Sequence, residues 1–174
     1  MKFDRKNILF IGIIAIAMLL TANAGFAIDN NNLKEYDFDS YFKMDVPKDI
    51  NFEKTDGNAT DNITLSKSYK DDDKKINVAY FQTKNNAKDE LIKYYKDMAK
   101  NSSSVSINDI NNATVIHFGD ENTYGDIEYH DMAIAGNATQ YILVQCDNHS
   151  LMDSMANSIK FNWFYWKLKK KIFR

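Results

Sequence analysis

Three histidines, one cysteine and a group of carboxylates between residues 120 and 131 are the side chains whose chemistry is easiest to name in this 174-residue sequence. His117 alternates with Val115 in one apolar run, and His130 stands beside Asp131 in the next. If the two runs pair as a hairpin, His117 and His130 approach each other across it. With Asp126, Glu128 or Asp131 they would then supply the nitrogen and oxygen donors of a metal-binding or hydrolytic site. Strand histidines are more often structural, so that reading is the alternative, and no metal is expected. The intervening Asp120–Glu128 segment has oxygen donors at Asp120, Asn122, Asp126 and Glu128, with Gly125 sixth, as a calcium loop would. Tyr124 replaces one donor and Asp131 stands where a bidentate glutamate is needed, so the segment reads as a hairpin turn. Cys146 has His149 three residues away, but Asp147 opposes a thiolate, and the cysteine reads as a small buried hydrophobe. No serine lies in a Gly-x-Ser-x-Gly setting and there is no glycine-rich phosphate loop. With no acid, base and nucleophile set, the sequence predicts a non-enzymatic protein with no catalytic residues and no cofactor.

The carboxy-terminal run carries a different chemistry. Trp163, Phe164, Tyr165, Trp166, Lys167, Leu168, Lys169, Lys170, Lys171, Ile172, Phe173 and Arg174 mix aromatic and basic side chains without one acid. At 100° per residue Lys167, Lys170, Lys171 and Arg174 cluster opposite Phe164, Tyr165, Leu168 and Ile172, while Trp163 and Lys169 break the pattern. Twelve residues are too few to span a bilayer as a helix but suit its interface. The partner implied is a membrane surface or an anionic cell-envelope polymer, besides a protein partner.

Between these groups, periodicity defines the elements that must position them. Phe42, Met44 and Val46 alternate with Lys43 and Asp45 up to Pro47. The runs Ile63–Tyr69 and Ile76–Tyr80 flank the acidic turn Asp71-Asp72-Asp73 and read as a hairpin. Leu91, Tyr94, Tyr95 and Met98 form one helical stripe, entered through a capping box of Asn86 and Asp89. Strands follow at Val115–Phe118, Ile127–Ile134 and Gln140–Cys146, the last apolar on both faces and therefore central. Ser150 and Asp153 open a second helix with Leu151, Met152, Met155 and Ile159 as its core stripe. This order predicts one α+β domain over residues 36–161, an antiparallel sheet flanked by helices.

The amino terminus has the layout of an export signal: Lys2, Arg5 and Lys6, an uncharged stretch from Ile8 to Ile28, and small-residue cleavage sites at Ala22-Asn23-Ala24 and Gly25-Phe26-Ala27. Residues 1–27 therefore read as a signal peptide or a retained signal anchor, with cleavage favoured, and residues 28–35 as a linker. Either way, the remaining chain is extracytoplasmic, secreted or anchored to the cell membrane. Residues 28–162 hold 14 basic and 23 acidic side chains, a net of −9, although the whole chain is only −2. That acidity disfavours nucleic acid as a partner of the domain. Asn-x-Ser/Thr triplets begin at Asn58, Asn62, Asn101, Asn112, Asn137 and Asn148, and serve either as glycosylation acceptors or as polar loop residues.

The segment Phe-Lys-Met-Asp-Val-Pro at Phe42–Pro47 and the ending Tyr141–Cys146, helix, Ser158-Ile159-Lys160-Phe161 together resemble PsbP-like domains. The tryptophan usual after the proline is absent, with Lys48-Asp49-Ile50 in its place. The resemblance implies a central antiparallel sheet with flanking helices and an accessory or binding role; in this chain the domain follows the N-terminal hydrophobic helix read from residues 1–27. Residues 162–174 follow that domain as the aromatic and basic tail.

Overall fold

Alternating side chains need two different surroundings, and the strands of this chain find them in a layered α+β arrangement. The computed structural model describes residues 32–162, apart from 122, 125 and 126. The export signal and the tail thus lie outside the described residues. The elements run β1 (Leu33–Phe38), β2 (Phe42–Pro47), β3 (Glu53–Gly57), β4 (Ile63–Asp71), β5 (Ile76–Thr83), α1 (Lys88–Ala99), β6 (Ser104–Ile110), β7 (Ala113–Glu121), β8 (Ile127–Gly136), β9 (Gln140–Cys146), α2 (His149–Ser158) and β10 (Lys160–Phe161). Seven strands form an antiparallel sheet in the order β3-β4-β5-β9-β8-β7-β6, and β1-β2-β10 form a smaller one. As its two-sided apolarity predicts, β9 is the central strand of the large sheet.

Each central strand feeds two cores. Val78 and Tyr80 of β5, Val115 of β7 and Val144 of β9 face Phe38, Phe42, Met44 and Val46 of the small sheet together with Leu151, Met152 and Met155 of α2. The alternate residues Ala79, Phe81, Ile116, Phe118, Met132, Ile134, Tyr141 and Leu143 face Leu91, Tyr95 and Ala99 of α1. The small sheet contributes a dense aromatic group, with Phe38 stacked on Phe42 at a centroid distance of 4.4 Å and Tyr69 edge-on to Phe38 at 5.0 Å.

Four strands lie outside the sequence expectation, one of them β10, where the second helix was expected to continue through Ile159 to Phe161; Ile159 is instead extended and Lys160 and Phe161 pair with β2. β1 occupies Leu33–Phe38, beginning inside the stretch expected to be linker, because it pairs along its whole length with β2. β3 and β6 are the two edges of the large sheet, and nearly all their side chains are exposed. Both helix entrances also differ from expectation. The Asn86 side chain donates to Asp89 at 2.8 Å instead of capping backbone, and α1 starts after Ala87 without a side-chain cap. α2 is capped by Asn148, whose side chain accepts from the Leu151 N–H at 2.9 Å, while Ser150 lies inside the first turn. No helix among the described residues is long and apolar enough to cross a membrane.

The β8–β9 turn demands a glycine. Gly136 has φ +122°, and a Cβ there would lie 2.3 Å from the Gln140 carbonyl oxygen and 2.7 Å from the Tyr141 Cα. The Asn137 side chain completes this turn by accepting from the backbone N–H groups of Thr139 and Gln140.

Candidate functional site

Three cross-strand rows on the α2 face of the large sheet lead to the site. Ala113, Ala135 and Ile142 make one row, and Val115, Ala133 and Val144 the next. The third is His117 on β7, Asp131 on β8 and Cys146 on β9. Two apolar rows thus give way to a polar one within a single pleated surface. The first turns of α2 lie beside that row, bringing His149 and, one helical turn later, Asp153 to it.

The four titratable side chains form a connected group. His149 Nδ1 lies 2.6 Å from Asp131 Oδ2, and His117 Nε2 lies 3.0 Å from Asp153 Oδ1. The two imidazole rings are 4.4 Å apart between centroids. His117 Nδ1 and Asp131 Oδ1 are 3.1 Å apart but off the angle of a hydrogen bond, and each of these buried atoms lacks a hydrogen-bond partner among the described residues. Asp131 is only 1% exposed, whereas the side chain of His149 is 45% exposed. Burial therefore raises the Asp131 carboxyl above its ordinary pKa, with His149 and His117 pulling in the opposite direction.

Cys146 does not supply a thiolate to this group. Its Sγ turns toward the Asn148 carbonyl oxygen at 3.4 Å, and complete burial raises the thiol far above its usual range. It has the buried setting expected for a small hydrophobe.

The hairpin expected between the two histidine-bearing runs forms, but its two histidines do not meet. His117 pairs with Asp131, and His130 pairs with Phe118. His130 therefore projects to the opposite face, where its ring lies 5.6 Å from that of Phe118. A one-residue offset in register produces this separation. The residue that does join His117 is His149, which sequence reading considered only beside Cys146. Its spacing of four from Asp153 on one helix face was the available signal. Asp120 and Glu121 end β7, while Asn122, Gly125 and Asp126 lie outside the described residues, as do the tail residues 163–174.

Of the six Asn-x-Ser/Thr positions, Asn58, Asn101, Asn112 and Asn137 are exposed. Asn62, Asn137 and Asn148 accept backbone hydrogen bonds from neighbouring turns or from a helix start.

A scan of protein families and a search of curated proteins find no match to this chain.

Proposed function

We propose that this chain is an extracytoplasmic, non-enzymatic accessory or binding domain of PsbP-like fold, held against a membrane surface or an anionic envelope polymer by the segments that flank it. The observation that carries the reading is the aromatic and basic sequence of residues 163–174, which contains no acid and follows an acidic domain. Residue 33 begins β1, and Phe161 lies on β10, and both strands pair with β2. The Asn162 N–H donates to the Tyr41 carbonyl oxygen at 3.1 Å, so the chain leaves beside the β1–β2 turn. β1 begins opposite Pro47 and β10 ends opposite Phe42, so the described chain enters and leaves the small sheet at opposite ends of β2, roughly 20 Å apart along a six-residue strand. The basic, aromatic composition of the tail favours an anionic surface, while the acidic remainder of the domain is repelled by one. An antiparallel sheet with flanking helices is the coarse arrangement that the PsbP-like resemblance implies.

The reading predicts that a tag fused after Arg174 is digested by protease added to intact, wall-free cells. Full protection of that tag would defeat it. The full chain should also sediment with anionic vesicles and much less with neutral ones. Replacing Lys167, Lys169, Lys170 and Lys171 with Gln should weaken that binding most at low salt, since each basic residue contributes about 1 kcal/mol at such a surface. Equal binding by the substituted chain at low salt would remove the tail from the account.

A further inference from the structure

We propose that His117, Asp131 and His149 form a binding site for a first-row transition-metal dication of the zinc class. Their ligand atoms all lie within 4.8 Å of one another, contributed by β7, β8 and the start of α2. A tetrahedral ion with bonds of about 2.0–2.2 Å holds its donors roughly 3.4 Å apart, so the ion draws these groups together without moving a strand.

Two features point to a cation and not to a closed hydrogen-bond network. The first is the pair of buried atoms His117 Nδ1 and Asp131 Oδ1, which face each other at 3.1 Å without hydrogen-bond geometry and have no other hydrogen-bond partner among the described residues. With the imidazole proton on Nε2, which lies 3.0 Å from Asp153 Oδ1, the Nδ1 lone pair faces the Asp131 carboxylate oxygen. Two electron-rich atoms so placed repel each other unless a proton or a metal cation lies between them, and contact without hydrogen-bond geometry suits the metal cation. The second is Asp153 itself. A carboxylate on the far nitrogen of a histidine is the outer partner that fixes a metal-ligating imidazole.

The donor set selects the class of ion. Two imidazoles and one carboxylate suit zinc and its neighbours, whereas calcium and magnesium prefer an all-oxygen shell. Three protein ligands leave a coordination position, and the exposed side of His149 supplies the route from solvent to it. His130 takes no part, because it lies on the other face of the sheet. The site does not depend on where the chain resides, and its test is independent of export.

The test uses the full chain without a histidine tag, stripped with chelator and titrated with zinc chloride by calorimetry. One ion should bind per chain. His149→Ala should weaken binding at least tenfold, and Asp153→Asn by roughly 10- to 100-fold, as is typical for outer partners of metal ligands. His130→Ala should leave binding unchanged, and calcium chloride should give no saturable heat. Cobalt chloride should produce visible absorption bands of a four- or five-coordinate ion, absent in His149→Ala. His149 is half exposed, so its variant keeps the test valid even if Asp131→Asn fails to fold. Zinc uptake that is not saturable up to about 1 mM would overturn the site. So would uptake unchanged in His149→Ala, uptake lost equally in His130→Ala, or calcium binding as tight as zinc.

Discussion

The two faces of the seven-stranded sheet are built from alternate residues of the same strands, yet they differ in kind. The α1 face is filled by Phe81, Ile116, Phe118, Met132, Ile134, Tyr141 and Leu143, and its helix keeps Asp89, Glu90, Lys93 and Asp97 exposed. The α2 face is equally apolar beneath the helix body but ends in the row His117, Asp131 and Cys146. The difference lies in what each helix brings to the sheet. The first turns of α2 carry His149 and Asp153, which give the buried polar groups partners, and burying a carboxylate without them would be strongly unfavourable. A buried charge thus marks where a helix start meets a strand end.

The largest expected effects test whether both faces are needed for folding. Leu91→Ala on the α1 side and Met152→Ala on the α2 side should each lower stability by about 2–5 kcal/mol in urea unfolding, because both side chains are almost fully buried. An unchanged midpoint in either variant would show that its helix is dispensable to the core.

Alkali should act on both faces through the tyrosines. Burial pushes Tyr141 up to about 12 and moves Tyr95, on the same face, and Tyr69 and Tyr80, on the other, in the same direction. A raised pKa means that the fold favours the neutral phenol. The associated stability is complete below the unfolded value near 10 and is lost as pH climbs through the folded value. For Tyr141 this amounts to about 2–3 kcal/mol. Absorbance at 295 nm should therefore show the exposed tyrosines ionising first and the buried ones only as circular dichroism reports unfolding. All ten ionising together near pH 10 with the dichroism unchanged would contradict this account.

The helix entrances sharpen the comparison on a smaller scale. Asn148→Ala removes the α2 cap and should lower stability by about 1 kcal/mol, whereas Asn86→Ala, at an entrance without a side-chain cap, should stay within about 0.5 kcal/mol. Equal losses would mean that Asn86 caps α1 after all. The smallest effect belongs to Tyr95→Phe, which deletes a buried hydroxyl that lacks a hydrogen-bond partner among the described residues. It should be neutral within about 0.5 kcal/mol or slightly stabilising, and a loss above about 1 kcal/mol would reveal a bond to that hydroxyl.

How much of this was legible in the sequence follows from burial. β2, β4, β5, β7, β8 and β9 were readable because each buries one or both faces, so alternation or continuous apolarity is written into them. β3 reads Glu-Lys-Thr-Asp-Gly with every side chain exposed, and in β6 Val105 and Ile107 are about 40% exposed and only Ile110 is partly buried, so neither carries a strong pattern. The export signal and the tail remain sequence readings. At the site, His117 and Asp131 were visible as donors, but which histidine faced them depended on register. Alternation gives the face of a strand relative to itself, not the residue opposite it. The α2 partner His149 depended on tertiary packing that local periodicity does not encode.

Gly136 determines more than a bend. Asp131 and Cys146 are opposite each other because each lies five residues from the paired ends, Gly136 and Tyr141, of the β8–β9 turn. The turn thus acts as a gauge for residues some 17 Å away along the strand. A single inserted residue that propagated along β8 would deliver Met132 to the histidines and drive Asp131 into the α1 core. Length changes at this tip are consequently more damaging than most substitutions beside His117 itself, and a tight hairpin that touches no ligand atom governs which element of the sequence the site receives.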